Sequence, residues 1–213
     1  SNPTGKIFTP DDLKQIAEVL KDTGIYLISD EIYSDLWFTE RPHSASEYYD
    51  KTIIVSGLSK SLSMTGWRLG YAACPDKSLA QAVASIQSHS TSNPTSFAQA
   101  GGVTALEKGE EDARKMCRVF EKRRDLFFKQ IALIPQLKPF RAQGAFYLFV
   151  NSRQSGLDSV TLSERLLDEA HVAVVPGKPF GSDDHIRMSF ATSEKVLEEA
   201  ANRLASWFKK ESP

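Results

Sequence analysis

Ile54-Val-Ser-Gly-Leu-Ser-Lys60-Ser-Leu-Ser-Met-Thr-Gly-Trp-Arg68-Leu-Gly70 is the stretch from which the fold is read. Thr52 to Val55, which overlaps its start, is short, apolar and β-branched, the pattern of a buried strand. The polar run Ser56 to Gly66 then loops out, and Leu69 to Ala73 is a second apolar run, so Arg68 returns near the point where Lys60 leaves the sheet. An amine and a guanidinium placed this way can serve one phosphorylated aldehyde. A lysine that condenses with a carbonyl must be reachable and partly desolvated, and the loop at the end of a buried strand meets both demands. Two other readings of the same residues exist. A surface lysine and arginine in a serine-rich loop is the common case. A nucleotide-binding loop ending in Lys60-Ser61 would need glycine at 54 and 59, where this chain has Ile54 and Ser59.

Upstream, Thr9 to Asp12 has the capping-box pattern with Pro10 at the first helical position, and Leu13, Ile16, Ala17 and Leu20 repeat at helical spacing. A helix is predicted over 10–22 and a strand over 25–29, ending at Asp30-Glu31. Helix, then strand, then two more apolar strands predict a largely parallel α/β sheet, whose chemistry gathers at the carboxyl ends of its strands, where Asp30 and Lys60 fall. Downstream, helices are predicted over 77–89, 96–107 and 110–133, the last with Met116, Val119, Phe120, Phe127 and Ile131 on its apolar side. Short strands (137–140, 145–151, 172–175, 185–190) then mix with helices over 161–170 and 193–209, the final one burying Val196, Leu197, Ala200, Leu204 and Phe208. This predicts two domains, 1–108 in the α/β sheet and 109–213 in a smaller α+β unit.

Composition narrows the partners. The 213 residues carry a net charge of -1 and 25% charged residues, which points away from nucleic acid and anionic membranes and toward a small molecule or another protein chain. Cys74 and Cys117 form neither a disulfide framework nor a metal motif, and His43, His89, His171 and His185 are scattered, so no metal is expected. No run approaches the roughly 20 apolar residues of a membrane span. No signal peptide is read, and a cytoplasmic location is the expectation. Ser1-Asn-Pro-Thr-Gly5 is turn chemistry with no strand before it, which suggests a start inside a larger fold.

Five motifs occur in order: Asn2-Pro-Thr-Gly5, Asp30-Glu-Ile-Tyr33, Ser59-Lys60 through Met64-Thr-Gly-Trp-Arg-Leu-Gly-Tyr71, Gly144-Ala-Phe-Tyr147 and Ile186-Arg-Met-Ser-Phe190. Read singly, Asp30 caps a turn, Tyr33 is a packed aromatic, Asn2 is an Asx turn and Arg187 is a strand-end ion pair. The ordered set resembles the class I/II aminotransferases, pyridoxal-phosphate enzymes of the aspartate aminotransferase fold (fold type I), and matches their carboxy-terminal portion: part of a mainly parallel-sheet large domain followed by a smaller α+β domain.

The resemblance implies that Lys60 holds pyridoxal 5'-phosphate as a Schiff base and then moves a proton as a base. It implies that Asp30 keeps the pyridine nitrogen protonated, that Tyr33 and Asn2 donate to the ring's phenolic oxygen, that Arg68 and Ser59 bind the phosphate, and that Arg187 binds a substrate carboxylate. One common pattern places serine three positions before the lysine, where this chain has Gly57. Phe146 and the loop Pro176 to Gly181 are further candidates to face substrate, whereas Trp67 is read as packing. The implied function is amino transfer between an amino acid and a 2-oxo acid in a homodimer, with Thr91 to Asn93 resembling a segment near the partner's phosphate. A carbon-sulfur lyase of the same fold, hinted at by Ser29 to Leu36, is an alternative, as is a non-catalytic folding or dimerisation module.

Overall fold

The computed structural model describes residues 1–211. It combines helix and sheet in two compact units: Ile7–Cys117, and Ser1–Lys6 together with the chain from Arg118 onward.

In the first unit, α1 (Pro10–Leu20) starts where the capping box expects it: Asp12 N donates to Thr9 Oγ1 at 3.1 Å and Thr9 N to Asp12 Oδ2 at 2.8 Å. Three strands follow, β1 (Leu27–Asp30), β2 (Thr52–Gly57) and β3 (Gly70–Ala73), in the spatial order β1-β2-β3. β1 and β2 are parallel, with Asp30 opposite Val55. β3 runs antiparallel to β2, with Gly57 opposite Gly70, so only one of the two pairings in the expected mainly parallel sheet is parallel. The physical reason is the connection: the segment from Leu58 to Leu69 contains a single 3-10 turn, Thr65–Trp67, and no crossover helix that could carry the chain back to the far end of the sheet. Helices α2 (Lys77–Ser90) and α3 (Ser96–Lys108) follow, and then the first turns of α4 (Glu110–Ile131). Every residue of β3 is exposed and α2 buries none of its side chains. Ile28 of β1, Ile86 of α2 and Phe97 of α3 are each more than 65% exposed, so β1 and these helices carry the apolar composition of covered layers with side chains left open, while β2 between its neighbours is mostly buried or half-buried.

The second unit holds the rest of α4 and a four-stranded antiparallel sheet of order β4-β5-β7-β6, built from β4 (Lys138–Pro139), β5 (Tyr147–Asn151), β6 (Val175–Pro176) and β7 (His185–Ser189). With α5 (Ser159–Ala170) and α6 (Glu194–Glu211) it encloses a core of Ile131, Leu148, Val150, Leu162, Leu166, Ile186, Phe190 and Leu204, all fully buried. Each such side chain contributes roughly 1.5–3 kcal/mol relative to exposure. The helical phases differ in detail from the sequence reading. In α6, Leu197, Ala201, Leu204, Trp207 and Phe208 are buried while Val196 is exposed. In α4 the buried stripe is Phe120, Arg124, Phe127 and Ile131, with Val119 exposed.

Ser1 to Lys6 belongs to this unit because Gly5 locks it there. The Gly5 carbonyl accepts from both Gln143 N and Gly144 N at 2.9 Å. Gly5 has a φ of +67°, and a Cβ on it would lie 2.6 Å from Ala142 Cβ, so only glycine fits.

Candidate functional site

In the unit Ile7–Cys117 the residues of interest gather at one end of the sheet. Parallel pairing puts the carboxyl ends of β1 and β2 side by side, and the antiparallel return puts the start of β3 beside them. Asp30 is the last residue of β1, exposed, with Oδ1 accepting from Ile32 N at 3.2 Å. Tyr33, half-buried, lies in the turn that follows. Ser59 and Lys60, both half-buried, occupy the loop after β2, and Arg68 stands two residues before β3 begins.

The Lys60 loop is braced by its own backbone. Thr65 Oγ1 donates to Ser59 O at 2.8 Å, Met64 N to Leu58 O at 3.2 Å, and Arg68 Nη1 to Thr65 O at 2.9 Å. Ser63 and Arg68 both adopt left-handed backbone, with φ of 54° and 53°. Such residues cost of order 1–3 kcal/mol each and persist only where surrounding structure imposes them; they cluster at functional sites. Arg68, exposed, thus has its guanidinium turned back over the loop that carries Ser59. Gly57 explains the departure from the serine pattern: a Cβ there would lie 2.9 Å from Gly70 Cα and 2.9 Å from Leu69 O, both backbone atoms. Serine has no room where β2 and β3 pair this closely.

Trp67 is 46% exposed rather than core, because the 3-10 turn leaves one side of it in solvent. Its packing is real but one-sided: a Cβ on Gly101 of α3 would come within 2.6 Å of the indole. Thr91 to Asn93 lies in the turn between α2 and α3, with Ser92 in left-handed backbone.

The other unit brings Asn2 and Arg187 together. Arg187 Nη1 donates to Asn2 Oδ1 at 2.7 Å. With Oδ1 so engaged, the Asn2 amide presents Nδ2 as its donor. Arg187 sits in β7 opposite Phe149 of β5 and Val175 of β6, half-buried on the sheet face away from Ile186 and Met188. Phe146 packs against Phe120 and Tyr147, with centroids 5.6 Å and 4.6 Å away. Ala145, buried with φ 58°, makes the turn that feeds β5.

Sequence reasoning missed Arg124. It is 2% exposed on α4 and donates through Nη1 to Ala142 O at 3.0 Å, through Nε to Asp125 Oδ1 at 2.9 Å and through Nη2 to Glu121 at 3.3 Å. It therefore supports the 142–144 segment that clamps Gly5 and, with it, the Asn2 turn. In sequence it is one more charge in Glu-Lys-Arg-Arg-Asp; only its place on the Phe120, Phe127, Ile131 stripe marked it.

Among the described residues no group of three or more His, Cys, Asp or Glu could hold a metal ion, and no helix is long and apolar enough to cross a membrane. The donor set at the end of the first sheet consists of an amine, a guanidinium, hydroxyls and a carboxylate. That set fits pyridoxal phosphate, which has an aldehyde for the amine, a phosphate for the guanidinium and hydroxyls, and a pyridine nitrogen for the carboxylate.

A family model described as aminotransferase class I and II matches residues 1–204. The chain is 42% identical over 214 aligned positions to an aspartate aminotransferase of Geobacillus stearothermophilus, covering 96% of this chain and 54% of that protein. It is 39% identical to an aspartate aminotransferase of Bacillus subtilis, covering 100% and 56%. An aromatic aminotransferase structure from Pyrococcus horikoshii superposes with a TM-score of 0.93 at 34% identity, covering 98% of this chain and 58% of that one. An aspartate aminotransferase structure from Thermotoga maritima gives 0.90 at 36% identity, covering 98% and 54%. The chain spans about half the length of the curated relatives it matches.

Proposed function

The chain belongs to the aminotransferase class I and II family, and on that premise we propose that it serves amino transfer between an amino acid and a 2-oxo acid, with pyridoxal 5'-phosphate held at Lys60. The observation that carries this reading is the gathering of Asp30, Ser59, Lys60 and Arg68 at one end of the β1-β2-β3 sheet. The domains we propose are residues 1–108, part of the cofactor-binding domain, and 109–213, the smaller domain.

Pyridoxal phosphate, when bound, supplies an aldehyde that condenses with amines and a ring that withdraws electrons from the carbon next to the nitrogen. The protein does the rest. Arg68 and Ser59 bind the phosphate, the former as a charged, directional donor. Asp30 holds a proton on the ring nitrogen. Tyr33 Oη and Asn2 Nδ2 donate to the phenolic oxygen. Arg187 binds the α-carboxylate of the substrate through its planar N–H edge. Lys60 Nζ takes the proton from the substrate α-carbon and returns it at the other end of the transfer, acting as general base and then general acid. A second copy of the chain as partner and a cytoplasmic location complete the reading, with the 91–93 turn directed to the partner's site.

The relatives named above are aminotransferases, which favours transfer over carbon-sulfur cleavage. The test is a titration of the protein with pyridoxal phosphate, followed in the visible and then assayed with aspartate or phenylalanine as donor and 2-oxoglutarate as acceptor. A visible band that Lys60→Ala abolishes, together with keto-acid-dependent transfer, is the expected result. Release of pyruvate and sulfide from cysteine without transfer would replace it with the lyase. A folded protein with neither band nor turnover would reduce it to a folding or dimerisation module.

A further inference from the structure

Arg187 is held by more than its hydrogen bond. Its Cζ lies 4.5 Å from the ring centroid of Tyr147 and 5.1 Å from that of Phe180, while Nη1 is tied to Asn2. A guanidinium has one plane and five N–H groups. Two rings close to the cation and a bond at one of its nitrogens together restrict where the remaining N–H groups point.

The two rings arrive by different routes. Tyr147 lies on β5 two residues from Phe149, the cross-strand partner of Arg187, and so shares its sheet face. Phe180 comes from the 3-10 turn Lys178–Phe180, which is anchored on all sides. Phe180 N donates to Gly177 O and Gly177 N to His185 O, each at 2.8 Å. Lys178 N donates to Ser159 Oγ at 3.1 Å, and the Ser159 hydroxyl, fully buried, donates to Asp183 Oδ1 at 2.6 Å. A Cβ on Gly177 would meet Ser182 O at 2.2 Å, so the turn closes only with glycine. This rigid support carries a phenyl ring that remains 36% exposed. The ring meets Phe149 edge-on at 6.4 Å and has the Arg187 cation nearer, at 5.1 Å, so burial of apolar surface accounts for it only in part and the cation supplies the rest.

We infer that Phe180 and Tyr147 are positioning residues for Arg187, setting the guanidinium plane for two-point binding of a carboxylate. The ligand rests on the role of Arg187 in the proposed function; the geometry of the rings does not. Neither ring touches a reacting atom, so their effect is on binding and not on the chemical step.

The experiment compares Phe180→Leu, Phe180→Tyr, Tyr147→Phe and Arg187→Lys in the protein loaded with pyridoxal phosphate. Steady-state amino transfer is measured beside calorimetric affinity for succinate, a carboxylate that cannot react. Phe180→Leu is expected to weaken succinate binding and raise KM for the amino acid by about tenfold, with kcat within about twofold. Phe180→Tyr and Tyr147→Phe, which keep the rings, are expected to stay within about threefold of the unmodified chain. Unchanged succinate affinity in Phe180→Leu, or a loss confined to kcat, would overturn the inference even if Arg187→Lys abolishes binding and transfer proceeds normally. If no transfer and no visible band occur at all, the functional reading falls on its own, and the same succinate series run by calorimetry on the chain without cofactor decides the role of the rings, with equal affinity of Phe180→Leu and the unmodified chain overturning it.

Discussion

Asn2 and Arg187 stand 185 positions apart and are joined by a 2.7 Å hydrogen bond in which the asparagine is the acceptor. The bond engages one N–H of the guanidinium, and the neutral amide does not offset its charge. Replacing Asn2 with alanine removes the tether; replacing it with aspartate puts an anion on the same atom. Asn2→Asp is therefore expected to weaken binding of an inert dicarboxylate such as succinate more than Asn2→Ala does, by about three- to tenfold, an exposed pair being partly screened. Titration calorimetry of the two variants reads the order directly. Equal affinities would show that the bond does not bear on the anion site.

Gly57 offers a test of the Lys60 loop. The backbone atoms facing it cannot step aside, because Gly70 is paired with Gly57 in the sheet and Leu69 O accepts from Leu58 N at 3.2 Å. Gly57→Ser is expected to destabilise the protein by about 1–3 kcal/mol, as overpacking does, and to gain no phosphate affinity. Denaturant unfolding measures the first and cofactor titration the second. A serine tolerated without cost would mean the strands separate more easily than their register implies.

Much of this was legible in the sequence because it is local. The capping box at Thr9, the apolar runs of β1 and β2, and the motif order need only neighbouring residues to be read. What was not legible depends on distant partners. Arg124 is a charge by composition, and it is buried only because the carbonyl of Ala142 and the carboxylate of Asp125 receive it. Val196 and Ala200 drop out of the expected buried stripe of α6 and Ala201 and Trp207 join it, since a helix rotates 100° per residue and the packing surface of α5 decides the phase. The direction of β3 is likewise set by what the 58–69 connection can span.

Arg124 also makes a quantitative prediction. Arg124→Met removes the charge, leaves Ala142 O without its Arg124 donor and leaves Asp125 to Arg141, and is expected to cost about 3 kcal/mol, the low end for breaking a buried pair because Glu121 and Asp125 are partly wet and Asp125 keeps a cationic partner. Asp125 adds a pH dependence. Burial pushes its carboxyl up, but hydrogen bonds from Arg124 and Arg141 outweigh this and hold it below the ordinary aspartate range. A depressed carboxylate contributes stability that is present above the unfolded-state value of about 3.9 and is lost as pH falls through the folded one. Unfolding free energy measured downward from pH 5 should therefore fall, and Asp125→Asn should flatten that fall.

His185 titrates in a different window and reports on the anchored turn beside Arg187. Its ring stacks on Phe149 with centroids 4.7 Å apart and planes 11° from parallel, and its Nδ1 lies 2.8 Å from Ser182 Oγ. Burial pushes the imidazole below its ordinary value, against the opposing pull of Asp184. The folded state thus binds the proton less readily than the unfolded chain. Stability is fully present above about pH 6.5, the unfolded value, and declines as pH falls toward the folded one. Chemical denaturation between pH 8 and 5 should show this slope in the unmodified protein, and His185→Phe, which keeps the stack and removes the proton site, should lack it. Because Ser182 and Phe180 share the turn, the same variant should leave succinate affinity unchanged at pH 8, where the imidazole is neutral. A loss of affinity at that pH would instead mean that the Ser182 bond, and not the ring stack, holds Phe180 against Arg187.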